Sequence, residues 1–448
     1  MHSLLTKYIF YPVHEWLKGN CTISLLEVFE KSQWYQREEI EKIQLKKLIQ
    51  LVKYSYNTVP YYTRMFAEAG ISPAEILSTQ DFSQIPFITK ELIHDHAAEL
   101  LSAAYQGKRI PYTTGGSTGQ PLKFFVDNLR VSNEWAANWR ARRWWGVDIG
   151  DKMLSIWASP IEASTQNRLK KIRDKLLNYH MIQALDLRES DVPLYLELLN
   201  HYKADYLFGY ASCVFFLAQV IHKKNLKVSS RIKAIFTTAD TLYPYQRKLI
   251  EEVFQAPVGI EYGARDGGFI AHECPAGGLH IFEEGVLVEI VDSQGRTLPD
   301  GQEGEVVVTV LDNSVMPFLR YKIGDYGSIS RKKCSCGVNL KVMGTLLGRK
   351  CDNLLRSDGS IVHGPSLANI LITNEKIERY QVIQNSFQEL LIKIVSSNQF
   401  SSLEKNVLIK GIKAIYKDDI AVTIEDVDEI EPSPSGKNRY IICNIENQ

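Results

Sequence analysis

The chain has 448 residues, 45% of them apolar, and its 52 basic and 52 acidic side chains cancel. That length exceeds one compact domain and supplies a large core. The balanced charge excludes a broad electrostatic footprint for nucleic acid but leaves room for a local anion site.

The N-terminus carries Leu4, Leu5, Tyr8, Ile9 and Phe10, interrupted by Lys7 and Pro12. No run reaches the ~18 apolar residues that span a bilayer. A secretory signal would need a longer apolar stretch and a small-residue cleavage site. This end reads as a docking helix, with loose membrane contact as the lesser option. Residues 24–56 show helical spacing of apolar positions, as at Leu45, Leu48, Ile49 and Val52. Val59-Pro60 ends that stretch, and helix and loop alternate to about residue 110. From 150 to 290, apolar runs at 153–157, 206–208 and 234–237 alternate with helical stretches at 192–202, 213–223 and 245–254. The alternation predicts an α/β fold, layered around a mixed or parallel sheet. Residues 284–291 and 304–311 read as strands flanking a turn at Ser293-Gln294-Gly295. Residues 350–448 read as a smaller α+β unit, with strands at 389–395 and 420–424 and a helix near 403–415.

The most informative stretch is Tyr112-Thr113-Thr114-Gly115-Gly116-Ser117-Thr118-Gly119-Gln120-Pro121. Its glycines let the backbone turn tightly and approach a ligand with no Cβ in the way. Successive N–H groups and hydroxyls then suit an anion such as a triphosphate. No lysine follows Gly119, so it is not the nucleotide loop that ends in Gly-Lys-Ser/Thr. Alone, the stretch fits a solvated turn equally well. Four further motifs follow: Glu261-Tyr262-Gly263-Ala264-Arg265-Asp266, Arg320-Tyr321-Lys322-Ile323-Gly324-Asp325, Gly348-Arg349-Lys350-Cys351-Asp352 and Pro434-Ser435-Gly436-Lys437.

In this order and spacing the chain resembles the adenylate-forming superfamily, and within it phenylacetate–CoA ligases and the CapK-like proteins of capsule biosynthesis. The stretch from Thr58-Val59-Pro60 to Phe87-Ile88-Thr89-Lys90 resembles the same branch. The resemblance implies a large multi-layered N-terminal domain with mixed sheets over 1–349. It implies a small mobile α+β domain over 350–448. It implies that Thr113, Thr114, Gly115, Gly116, Ser117, Thr118 and Gly119 hold ATP phosphates. Tyr262 and Gly263 would flank adenine, with the backbone of Ala239 and Asp240 opposite. Asp325 would accept from the ribose hydroxyls, as an acceptor-only carboxylate can. Arg349 would reach the ribose or phosphates. Lys437 would be the catalytic cation of the adenylation step, where anion meets anion. Without the resemblance, Tyr262 reads as core, Asp325 as part of a turn and Lys437 as an inert surface lysine.

The sequence departs from the family pattern at three places. Asp266 stands where the family has a glutamate that helps to bind Mg²⁺, a hard cation suited to carboxylate oxygen. Arg265 replaces a threonine. Cys351 takes the first of two acidic positions at the pivot of the small domain, where a residue need only absorb a backbone rotation.

Seven cysteines without a secretory signal favour reduced thiols and a cytoplasmic setting. Cys274, His280, Cys334 and Cys336 have the donor types of a closed structural zinc site, with His272 as a competing ligand. Buried free thiols are the alternative. CapK-like relatives carry a similar Cys/His pattern. Cys21, Cys213 and Cys443 have no partners by spacing and read as core. Trp135 and Trp139 share a helix face and read as core as well. Tyr210 and Phe215 match where relatives line the acyl pocket. Arg140, Arg142 and Arg143 could meet a phosphate of CoA, though such a run and Arg320 both read more simply as solvated arginines.

The reading is an AMP-forming ligase that uses ATP and Mg²⁺ and passes an acyl group to CoA. An amine acceptor on an amino sugar or amino acid, in polysaccharide biosynthesis, is the alternative. A catalytically silent nucleotide-binding or scaffold protein is the rival from another class. Neither the acid nor the oligomeric state is readable.

Overall fold

The computed structural model describes residues 2–114, 122–157, 168–184, 188–349, 354–356, 361–362, 367, 370–371, 374, 376–396, 400–416, 420–431 and 440–445. The glycine-rich stretch lies in sequence between two paired strands, β1 (Ile110–Thr113) and β2 (Lys123–Val126). They run antiparallel, with Ile110 opposite Val126 and Thr113 opposite Lys123.

Next come β3 (Met153–Trp157), β4 (Tyr179–Gln183), β5 (Tyr206–Tyr210), β6 (Ala234–Thr238) and β7 (Val258–Ala264). The helices Arg168–Leu176, Val192–Tyr202, Ala211–Lys223 and Pro244–Phe254 alternate with them. These five strands are parallel, in the order β4-β3-β5-β6-β7. Parallel strands covered by crossover helices read as continuous apolar runs. Leu154, Leu207, Ile235 and Val258 accordingly share one core with Val214, Ala218 and Ile250 of the helices.

After β7 the chain doubles back as β8 (Gly268–Glu273) and β9 (Leu279–Ile281). It continues as β10 (Val286–Val291), β11 (Gly304–Val310), β12 (Tyr321–Ile329) and β13 (Val342–Arg349). All eleven strands from β3 to β13 form one mixed sheet, ordered β10-β11-β12-β13-β9-β8-β7-β6-β5-β3-β4. The mixed α/β architecture agrees with the sequence expectation.

The helical spacing over 24–56 is divided between two helices, Thr22–Ser32 and Arg37–Thr58. Gln36 caps the second helix in a capping box with Glu39, so a new N-terminus forms inside a region whose apolar period runs on. The strand expected from residue 284 starts at Val286, because residues 283–285 form a turn in which the N–H groups of Gly285 and Val286 donate to the Phe282 carbonyl. Cys213 is buried, but Cys21 is exposed and Cys443 is half-buried, which corrects the placement of these two in the core. Trp139 is fully buried, whereas Trp135 is 40% exposed on the same helix.

Contacts divide the chain into two units, residues 1–323 with 327–345 and residues 324–326 with 346–448. The second unit holds a pair, β14 (Leu354–Leu355) and β15 (Ile361–Val362). It also holds a four-stranded sheet of β16 (Ile377–Ser386), β17 (Glu389–Ser396), β18 (Ala421–Asp426) and β19 (Ile441–Cys443), ordered β18-β17-β16-β19. Val382, Ile392 and Ile394 of the sheet are buried, as are Leu408, Ile412 and Tyr416 of the helix Ser402–Tyr416.

Candidate active site

In a parallel sheet the strand order reverses where two crossovers leave in opposite directions, and ligands bind outside the carboxyl ends there. Here β3 lies between β4 and β5, so the reversal falls between β3 and β5. Their last residues, Trp157 and Tyr210, meet edge to face at 4.9 Å, and Phe208 stacks on Trp157 at 5.4 Å. Phe215, one turn into the following helix, meets Tyr245 at 5.3 Å, and Tyr245 stacks on Tyr243. Of the two expected acyl-pocket residues, Tyr210 therefore lies at this edge, and Phe215 shares its hydrophobic core from the following helix.

The ends of β6 and β7 supply the expected adenine residues. Ala239 is exposed and takes a positive φ of 72° without being glycine. Strain of that kind persists where surrounding structure holds it, and it concentrates at functional turns. The carboxylate of Asp240 accepts from the backbone N–H groups of Ala211 (2.7 Å) and Ser212 (3.2 Å). It thus caps the helix after β5. Tyr262 is buried and Gly263 exposed near the end of β7.

A buried ion pair underlies this edge. Arg142 lies 4.9 Å from the Phe208 ring centroid, donates to the Tyr206 hydroxyl at 3.2 Å, and meets Glu261 at 3.4 Å. Asn138 also donates to Glu261. Burial pushes the Glu261 carboxyl up, against the pull of Arg142. Arg140 is equally buried and pairs with Glu284 at 2.6 Å. The arginine run is therefore not a solvated face at Arg140 and Arg142. A charge leaves water only where its partner is held beside it, and sequence does not show that partner. Arg320 is also buried, not solvated, and its guanidinium pairs with Glu289 through two hydrogen bonds of 3.1 and 3.0 Å.

The turn after β7 has its own support. Asp266 Oδ2 accepts from the Tyr321 hydroxyl at 2.6 Å, and Arg265 donates to the Thr113 carbonyl at 2.9 Å. Thr114 Oγ1 accepts from the Leu122 N–H at 2.9 Å. Arg130, 1% exposed, donates to the carbonyls of Arg265 and Asp266 and to Glu134. Sequence reasoning missed Arg130 and Trp157. The Arg130–Glu134 spacing of i,i+4 on a helix was the available signal for the first. Asp325 is half-buried in β12, just after Gly324 at φ 83°.

Cys274, His280, Cys334 and Cys336 converge, with their ligand atoms all within 4.8 Å of one another. Cys274 and Cys334 sulfurs are 3.5 Å apart, and His280 Nε2 is 3.1 Å from Cys336 Sγ. The antiparallel pairing of β9 with β13, Val342 opposite His280, brings the two halves together. His280 Nδ1 lies 3.2 Å from the Leu340 carbonyl, which leaves Nε2 to face the sulfurs. Burial pushes the Cys274 thiol up to about 12. His272 lies outside this group, in contact with Phe236 and Trp144. Burial pushes its imidazole down to about 3, so it is neutral.

Comparison with known proteins joins these observations. A family model described as the CapK C-terminal domain matches residues 354–444. Protein CapK of Staphylococcus aureus is 27% identical over 419 residues, 91% of this chain and 90% of that protein. A phenylacetate–coenzyme A ligase of Thermus thermophilus is 25% identical, over 81% of this chain and 83% of its own. Over most of its length the chain is thus similar to CapK and to phenylacetate–CoA ligases, in line with its resemblance to the adenylate-forming superfamily. In fold it is similar to a crystal structure of 2-hydroxyisobutyryl-CoA ligase in the postadenylation state, with a TM-score of 0.76 at 18% identity. That match covers 92% of this chain and 91% of the other.

Several expected residues of an adenylate-forming site lie outside the described residues: Gly115, Gly116, Ser117, Thr118, Gly119, Cys351 and Lys437. Arg349 ends β13, and its side chain is likewise outside them. Among the described residues, no helix is long and apolar enough to cross a membrane.

Proposed function

We propose that the chain joins a carboxylic acid to ATP as an acyl-adenylate and then passes the acyl group to coenzyme A. The likeness to a phenylacetate–coenzyme A ligase over four-fifths of both chains carries this reading. In the first step a carboxylate oxygen attacks the α-phosphorus and the bond to pyrophosphate breaks. Two anions approach each other, so a positioned cation lowers the barrier. We assign that cation to Lys437, with Arg349 beside the ribose or phosphates. Residues 113–119 hold the phosphates. Tyr262, Gly263 and the turn at Ala239 take adenine, and Asp325 accepts from the ribose hydroxyls. Tyr210 and Phe215 face the acyl group, a role supported by the place of Tyr210 at the strand-order reversal and by the core the two side chains share. In the second step the CoA sulfur attacks the acyl carbonyl and AMP leaves.

Mg²⁺, when bound, would neutralise phosphate charge. Asp266 has the oxygen chemistry for it, through a carboxylate now bonded to Tyr321. The Cys274, His280, Cys334 and Cys336 donors fit a tetrahedral zinc ion in type, number and spacing. With all four positions filled by protein, such an ion would hold β9 and β13 together and take no part in adenylation.

An amine acceptor is the second reading, which rests on the resemblance to the CapK-like proteins of capsule biosynthesis; the likeness to CapK covers 91% of the chain. The test is pyrophosphate exchange across a panel of carboxylic acids, followed by addition of CoA or amino sugars to the active acid. Thioester formation supports the first reading and amide formation the second. Exchange with no acid would support a silent nucleotide-binding protein.

A further inference from the structure

The helical run that opens the chain turns its polar side chains inward and its apolar ones to water. It comprises Ser3–Leu5, a π-turn at Thr6–Phe10, and Tyr11–Lys18. Thr6 is fully buried and its hydroxyl donates to the Leu176 carbonyl at 2.9 Å. Lys7 pairs with Asp148 at 2.6 Å, the Tyr11 hydroxyl accepts from Trp139 at 2.9 Å, and Glu15 is buried. Gly150, at φ 96°, lies so close that a Cβ there would sit 2.3 Å from the Ser3 carbonyl oxygen. The run is therefore held firmly to the body of the protein.

Its outer face carries Leu5, Tyr8, Ile9, Val13, Trp16 and Leu17, between 44% and 77% exposed. Positions 5, 9, 13 and 16 follow helical spacing and form one row. Single exposed apolar residues are ordinary on a protein surface, but a contiguous row marks something that covers it.

The neighbouring helix indicates what. Arg168–Leu176 meets the run through the Thr6–Leu176 bond, and all its residues are exposed or half-buried. Leu169 and Ile172 are 77% and 58% exposed. Around them stand Arg168, Lys170, Lys171, Arg173 and Lys175 against the single acid Asp174. Apolar side chains with Trp and Tyr beside a cluster of cations match an anionic lipid interface. A second copy of the chain fits less well. A two-fold interface uses the same patch on both partners and so brings like charges together.

We propose that this face docks the protein peripherally on an anionic membrane surface, with Trp16 and Leu17 at the lipid boundary and the Arg168–Leu176 helix over the headgroups. The proposal is independent of the ligase reading. The test is flotation of the full chain with vesicles of phosphatidylglycerol and phosphatidylcholine, against phosphatidylcholine alone, at low and high salt. The wild type should float with anionic vesicles, and less so as salt rises. Trp16→Glu with Leu17→Glu should lower the bound fraction about tenfold or more, by placing charge in the apolar layer. Lys171→Glu with Lys175→Glu should weaken binding to anionic vesicles only. All four side chains are exposed, and an unchanged melting curve verifies that each variant folds. A wild type that stays with the soluble fraction at low salt overturns the proposal. So does equal flotation of the wild type and the Trp16/Leu17 variant, or a solution dimer that this variant dissociates while vesicle binding is unchanged.

Discussion

Replacing Arg320 with alanine separates a structural arginine from a ligand-binding one. Its guanidinium is 2% exposed and bonds Glu289 through both Nε and Nη2. Nη1 donates to the carbonyls of Ser83 and Ile85, the latter at 2.7 Å. The backbone beside it accepts from Ile88 N–H, where Ile88 bridges Tyr321 in parallel. The side chain thus fastens residues 83–88 to the start of β12 and to Glu289. Removing it leaves Glu289 buried without its cation and two carbonyls without donors. Breaking one partner of a buried pair costs about 3–5 kcal/mol. For the larger unit, near 340 residues, an unfolding entropy of roughly 0.7 kcal/mol/K turns that into a fall in Tm of about 4–7 °C. Differential scanning calorimetry of the wild type, Arg320→Ala and Arg320→Lys measures it. Lysine keeps the charge but loses the two-pronged contact and should fall in between. An unchanged Tm for Arg320→Ala, with ATP binding lost, would refute the reasoning and make Arg320 a ligand contact.

Three further outcomes are expected. Lys437→Ala should slow acyl-adenylate formation about a hundredfold or more with the melting curve unchanged; near-normal pyrophosphate exchange would remove the assigned role. Asp325→Ala should weaken ATP binding in calorimetric titration, and an equal Kd would mean that Asp325 is only a residue of the strand β12. Protein purified without added metal should contain about one zinc per chain by elemental analysis. Cys334→Ser with Cys336→Ser should lose the metal and melt lower, whereas metal-free wild type melting like that variant would leave ordinary thiols.

Much of the secondary structure was legible because its causes are local. The apolar run of β3 and the helical spacing over Val192–Tyr202 match the observed elements. The helix break at 33–36 was not legible, because a cap starts a new helix without disturbing the apolar period. The order of the five motifs pointed to the superfamily before any geometry was known. The sequence alone therefore determined the alternation of elements, the family resemblance and the residue types available for chemistry.

Tertiary structure decided where those residues stand. Arg140, Arg142 and Arg320 look like surface cations until Glu284, Glu261 and Glu289, far away in the chain, are folded against them. Trp157 became part of the candidate site only when β3 and β5 lay side by side at the reversal of strand order. Cys274 and Cys334, 60 residues apart, meet because β9 pairs with β13. Leu4, Leu5, Tyr8, Ile9 and Phe10 suggested a helix at the N-terminus, but only its docking showed which face is left to the solvent. Propensity and period act between neighbours in sequence. Burial and charge pairing act between neighbours in space, and the chain must fold before those neighbours exist.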